Sequence, residues 1–201
     1  MRVRALYFNL LDKEKAEYSK QQLIKALDNY NWRIGTGFLS MLLILDVLTE
    51  INPEYAYKLL ENKQMPEWLF MPKVGVTTVW ESWEGTEAQS GIASLNHYSK
   101  GAVYEWPFDT MCGINVGARS NTFVIELIVG GTLTCAKASY QSIYGLIESG
   151  WKIKEDKTVY TVTIPCNCTT EINYFAERRN KNCRCGEVHI LIMSIEQNFA
   201  L

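Results

Sequence analysis

The chain has 201 residues, 47% hydrophobic and 21% charged, which is the length and composition of one large or two small globular domains. Its formal net charge of −2 gives no electrostatic ground to expect nucleic acid or an anionic membrane surface as a partner. The most apolar run, Phe38 to Leu48, is too short to span a bilayer and contains Asp46, while Asp12 and Lys13 cut off the N-terminal apolar patch with no cleavage site behind it. Neither a membrane helix nor a signal peptide is expected, and cytoplasmic localisation is.

In chain order, Arg4 to Leu10 is an apolar stub that predicts the end of a helix. Asp12 is placed to cap a helix running to about Asp28, with Ala16, Leu23, Ile24 and Leu27 on its buried face. Phe38 to Leu48 is apolar almost all round and predicts a fully buried helix. Asn52 followed by Pro53, a cap and then a first-turn proline, starts another to about Glu61. Pro66 opens a short helical piece, Glu67 to Met71, and Ser94 is expected to cap a helix from Leu95 to about Cys112, kinked at Pro107. Amphipathic and apolar helices in alternation imply an inner and an outer layer, as in a toroid of helical hairpins, with too few helices to close the ring.

From about Asn121 the period becomes extended. Phe123–Val129, Cys135–Tyr140, Gly145–Ser149, Thr158–Ile164, Glu171–Phe175 and Val188–Met193 read as strands, separated by turns at Gly130-Gly131, Gly150, Asp156-Lys157 and Pro165. Short strands at close spacing imply an antiparallel β-sandwich. Two domains follow, 1–115 helical and 116–201 β.

The chemistry centres on Val76 to Gly85, Val-Thr-Thr-Val-Trp-Glu-Ser-Trp-Glu-Gly. Glu81 sits between Trp80 and Trp83 on a stretch too irregular for a helix. Indole walls raise the pKa of a nearby acid and make it a better proton acceptor near neutral pH. Indole faces also suit the apolar faces of a sugar ring. The competing reading is a surface loop whose tryptophans fold back onto the core. Glu84 and Glu87 read as solvated acids, Glu105 as a structural hydrogen-bonding group and His189 as a structural strand residue. Of the six cysteines, Cys166/Cys168 and Cys183/Cys185 form two Cys-x-Cys pairs. A four-thiolate zinc site and disulfides are the alternatives to free thiols in a reducing cytoplasm. Zinc knuckles favour wider spacing, so no metal is assigned. Glu177 to Asn182 reads as a charged, solvated loop, too short to suggest nucleic acid.

The order of Thr36-Gly37-Phe38, Ala56-Tyr57-Lys58-Leu59-Leu60, Pro66-Glu67-Trp68-Leu69, Gly75 to Gly85, Leu95-Asn96-His97-Tyr98 and Gly101 to Trp106 resembles bacterial α-L-rhamnosidases, glycoside hydrolase family 78. Ala136-Lys137-Ala138-Ser139-Tyr140, Ser142, Tyr144-Gly145 and Val162-Thr163-Ile164-Pro165 are similar to that family's C-terminal β-domain. The resemblance implies the last helices of an (α/α)6 six-hairpin barrel followed by a β-sandwich, and hydrolysis of terminal α-L-rhamnosides with inversion. Inversion takes two carboxylates, a general acid and a general base, roughly 6.5–9.5 Å apart. By resemblance the base carries over to Glu81 and a substrate contact to His97. Trp83, from its place beside Glu81, is expected to wall the sugar site. No cofactor is implied, and the partner is a rhamnose-containing carbohydrate. The family's acid lies N-terminal of this stretch and nothing before Arg33 matches it, so the expectation is a C-terminal fragment with base but no acid. Self-association or pairing with a missing N-terminal half would follow. Ser40, Glu84, Tyr104 and Pro107 depart from the usual pattern. The alternative function is a non-catalytic remnant serving as a sugar-binding or protein-interaction module.

Overall fold

The computed structural model describes residues 2–87, 93–116, 121–155, 157–166, 168–174, 177–184 and 189–193. The chain packs as two units, 1–104 and 105–201.

The first unit is helical. Asp12 caps α2 (Lys13–Asn29), its carboxylate accepting the Lys15 backbone N–H at 2.9 Å, and the helix buries Leu23 and Leu27. α1 (Arg2–Tyr7) packs against it through Val3 and Leu6. Asn52 caps α5 (Pro53–Leu60) by accepting the Glu54 N–H at 3.0 Å, and α5 lies against α4 (Ile44–Ile51). Ile44, Leu48, Tyr57 and Leu59 are buried at this seam. Each large apolar side chain removed from water there stabilises the unit by roughly 1.5–3 kcal/mol.

Two helical expectations fail here. The run Phe38 to Leu48 is not one buried helix: α3 (Phe38–Met41) and α4 are separated by Leu42 and Leu43, and Phe38, Leu39 and Leu42 are exposed. An all-round apolar sequence cannot say which of its faces finds a partner. The piece after Pro66 starts later than expected, as α6 (Phe70–Lys73), with bends and turns over residues 64–69 before it.

The second unit opens with a π-helical turn, Pro107–Met111, and continues as β1 (Ile114–Val116), β2 (Thr122–Leu127), β3 (Cys135–Ser142), β4 (Gly145–Lys154), β5 (Lys157–Thr163), β6 (Thr169–Tyr174), β7 (Glu177–Arg184) and β8 (His189–Met193). Two four-stranded sheets result, β1-β2-β6-β7 and β3-β4-β5-β8. Every pairing is antiparallel except β2 with β6, which run parallel in the register Thr122↔Thr169. Phe123, Ile125 and Leu127 alternate inward along β2, joined in the core by Ile147, Trp151, Tyr160, Val162 and Ile172. The opening turn is tied to β4, where Trp151 Nε1 donates to the Met111 carbonyl at 3.0 Å and Ser149 Oγ to that of Cys112 at 2.6 Å.

Gly150, expected at a turn, lies inside β4, paired with Lys137 and Thr161. A Cβ there would sit 2.4 Å from the Ala136 carbonyl oxygen, so the glycine marks a close backbone approach. Glu177 to Asn182 is not a loop but most of β7, the outer strand beside β6. Edge strands tolerate charge, which is why its composition concealed it.

Candidate active site

The site is built by two short segments that clasp each other. The Glu81 N–H donates to the Ser94 carbonyl at 2.8 Å, the Ser94 N–H returns a bond to Glu81 Oε2 at 2.9 Å, and the His97 N–H donates to the Val79 carbonyl at 2.7 Å. Ser94 therefore does not cap the following helix, as its sequence position suggested. Its backbone is engaged by Glu81, and His97 takes the capping role for α7 (Tyr98–Gly101), its Nδ1 accepting the Ser99 N–H at 3.3 Å. Ser99 Oγ lies 2.8 Å from the same nitrogen. An accepting Nδ1 leaves the ring hydrogen on Nε2, an assignment made from the hydrogen-bond network. Nε2 faces Glu81 Oε1 at 3.8 Å, too far for a direct hydrogen bond and close enough for one bridging oxygen.

Glu81, Trp83 and His97 meet on one cavity of about 470 Å³, shared with Thr36, Phe38, Met41, Tyr98, Ser99 and Lys100. Glu81 is the one carboxylate among these lining residues. The pair of indole walls expected around it is not found. Trp80 turns away from the cavity and packs on Gly85, whose φ of +58° and missing Cβ make room for the ring. The Glu81 side chain is 48% exposed, so water as well as Trp83 surrounds it.

The rival acids have other places. Glu84 is exposed, accepts a hydrogen bond from Ser82 Oγ and is held below the usual carboxylate range chiefly by that bond. Glu87 is exposed at the end of the 3-10 turn Gly85–Glu87, and Glu105 is exposed and belongs to the other unit. Sequence reading missed Lys100, a buried lysine whose Nζ stands 3.4 Å from the Trp83 ring centroid. Nothing in the polar run Tyr98-Ser99-Lys100-Gly101 distinguishes it from a surface lysine. Cys185, Asp156, Asn167, Gly91 and Gly117 lie outside the described residues, as do the side chains of Cys183 and His189. Among the described residues no group of three or more potential metal ligands occurs, and no helix is long and apolar enough to cross a membrane.

Residues 2–111 match the model of the bacterial alpha-L-rhamnosidase six-hairpin glycosidase domain, and residues 120–183 that of the bacterial alpha-L-rhamnosidase C-terminal domain. The chain belongs to the bacterial α-L-rhamnosidase family. An alpha-L-rhamnosidase of Formosa agariphila is 36% identical over 175 residues, 84% of this chain and 19% of that protein. The crystal structure of Streptomyces avermitilis alpha-L-rhamnosidase, complexed with L-rhamnose, superposes with a TM-score of 0.77 at 30% identity, covering 85% of this chain and 17% of that one. Native α-L-rhamnosidase from Aspergillus terreus gives a TM-score of 0.85 over 95% of this chain and 23% of its own; at 23% identity it speaks for the fold. The chain thus spans about a fifth of the rhamnosidases it matches. Within that span, residues matching the six-hairpin domain are followed by residues matching the C-terminal domain.

Proposed function

We propose that this chain supplies the general base and one wall of the rhamnose subsite of an inverting α-L-rhamnosidase. The observation that carries the reading is the convergence of Glu81, Trp83 and His97 on one cavity, with the Glu81 carboxylate hydrogen-bonded through Oε2 alone among the described residues. Ser94 occupies Oε2, which leaves Oε1 to take a proton. In the proposed reaction Oε1 removes a proton from water as the water oxygen bonds to the anomeric carbon. The glycosidic C–O bond breaks on the opposite face, and its oxygen is protonated by an acid from outside the cavity lining described here. The gap of 3.8 Å between His97 Nε2 and Oε1 suits one sugar hydroxyl accepting from the imidazole and donating to the carboxylate. The Trp83 indole offers a ring face for the apolar side of the deoxy-sugar.

Two measurements test this. Titration of the chain with L-rhamnose should perturb the Trp83 and His97 resonances and be lost in Trp83→Ala; absence of binding removes the subsite reading. The chain alone should release no nitrophenol from nitrophenyl α-L-rhamnoside, because the acid is absent from the lining. A chimera in which it replaces the matching 17% of the S. avermitilis enzyme should be active. Glu81→Gln in that chimera should lower kcat by roughly 10²–10⁴-fold, the scale of general-base catalysis. Sugar binding with an inactive chimera would favour a second reading, a non-catalytic sugar-binding or interaction module. Exposed Phe38, Leu39, Tyr98 and Tyr104 on the helical unit support that alternative.

A further inference from the structure

Lys100 is 4% exposed, an unusual depth for an ammonium. Its backbone is fixed: the buried Trp68 indole donates from Nε1 to the Lys100 carbonyl at 3.0 Å. From there the side chain runs to Trp83, where Nζ lies 3.4 Å from the ring centroid. No hydrogen-bond acceptor among the described residues reaches Nζ. Burial pulls its pKa down to about 8, while the charges of Glu84 and Glu81 hold it up, so the group is mostly protonated at neutral pH. A desolvated ammonium with no acceptor is costly, and the contact that offsets the cost here is the π face of Trp83.

We propose that Lys100 is a positioning residue for the sugar subsite: its buried ammonium packs on the Trp83 indole and fixes the plane of the ring in the cavity that both residues line. The proposal rests on the reading of Trp83 as a sugar wall. A ring oriented before the ligand arrives loses less freedom on binding, so affinity rises without a new ligand contact. The charged groups facing the ammonium are Glu84 and Glu81 on the 80–87 segment, and His97 faces the same cavity from the cap of α7. Helix α3, packed on α7, carries no titratable side chain, and on the Trp68 segment Glu67 is turned to the Ile34 N–H.

The test compares L-rhamnose affinity in wild type, Lys100→Met and Lys100→Arg. Methionine keeps the buried hydrocarbon stem and removes the charge; arginine keeps the charge. Lys100→Met should bind about tenfold more weakly at about pH 7, the scale of a desolvated cation–π contact, and Lys100→Arg within about threefold of wild type. Wild-type affinity should also fall between about pH 7 and about pH 9.5 as the ammonium deprotonates, while Lys100→Met stays flat. In the unmodified protein, the Trp83 indole N–H resonance, assigned by its loss in Trp83→Phe, should follow the same titration without sugar. That measurement needs no lysine variant to fold. Equal affinity and an equal pH profile in wild type and Lys100→Met would overturn the role of Lys100 and leave the subsite standing. A wild type that binds no rhamnose at any pH would remove the subsite, and the positioning role with it.

Discussion

At the scale of single residues, Glu67 brings a pH dependence to folding. It is fully buried, its Oε1 accepts the Ile34 N–H at 2.5 Å, and burial pushes its pKa up to about 9 against the opposing pull of that bond and of Arg33. The folded state therefore keeps a proton that the unfolded chain releases near the ordinary glutamate value of 4.5. Its contribution is complete below the unfolded value and is lost as pH rises toward about 9, with a slope of up to ~1.4 kcal/mol per pH unit in between. Denaturant unfolding followed over this range should show stability falling with pH in wild type and a flatter profile in Glu67→Gln. An unchanged profile would mean that another group carries the dependence. Cysteine behaviour also divides by depth. Burial pushes the Cys112 thiol up to about 11, whereas Cys135 is exposed. In native protein near pH 8 a thiol reagent should label Cys135 readily and Cys112 only on unfolding.

At the scale of elements, the residues that bracket helices carry more information than the apolar runs between them. Asp12 and Asn52 each form the cap their sequence context predicts, because a side-chain oxygen satisfying a first-turn N–H is a local bond decided within a few residues. Asn52→Ala should lower the stability of the helical unit by about 1 kcal/mol and leave rhamnose binding unchanged. By contrast, the break between α3 and α4, the strand character of β7 and the place of Gly150 all depend on what lies alongside in space. The candidate site shows the same division. Glu81, Trp83 and His97 were legible as a set through their motifs, whereas the burial of Lys100 beneath Trp83 and the turning of Trp80 onto Gly85 are tertiary facts. Gly85→Ala tests the latter. A Cβ would meet the Trp80 ring at 2.4 Å on a backbone with φ +58°, so the substitution should destabilise by roughly 1–3 kcal/mol and weaken rhamnose binding together. Loss of stability with binding intact would show that the Trp80–Gly85 packing does not support Glu81.

At the scale of the whole molecule, the helical unit leaves large apolar groups in water: Phe8, Leu10, Phe38, Leu39, Tyr98 and Tyr104 are all exposed. Apolar surface of this kind favours association, so light scattering should report a mass above the 23.0 kDa of one chain, falling as salt and concentration are lowered. A compact monomer at high concentration would count against it. The reciprocal bonds between Glu81 and Ser94, with the His97–Val79 bond beside them, act as a latch: two bonds join backbone atoms and the third holds the Glu81 carboxylate. A latch of that kind is set by the residues at its two ends, 79–81 and 94–97, and not by the number of residues between them. Glycine and serine residues spliced in after Glu87 should therefore lengthen the intervening stretch while the carboxylate and the imidazole keep their spacing.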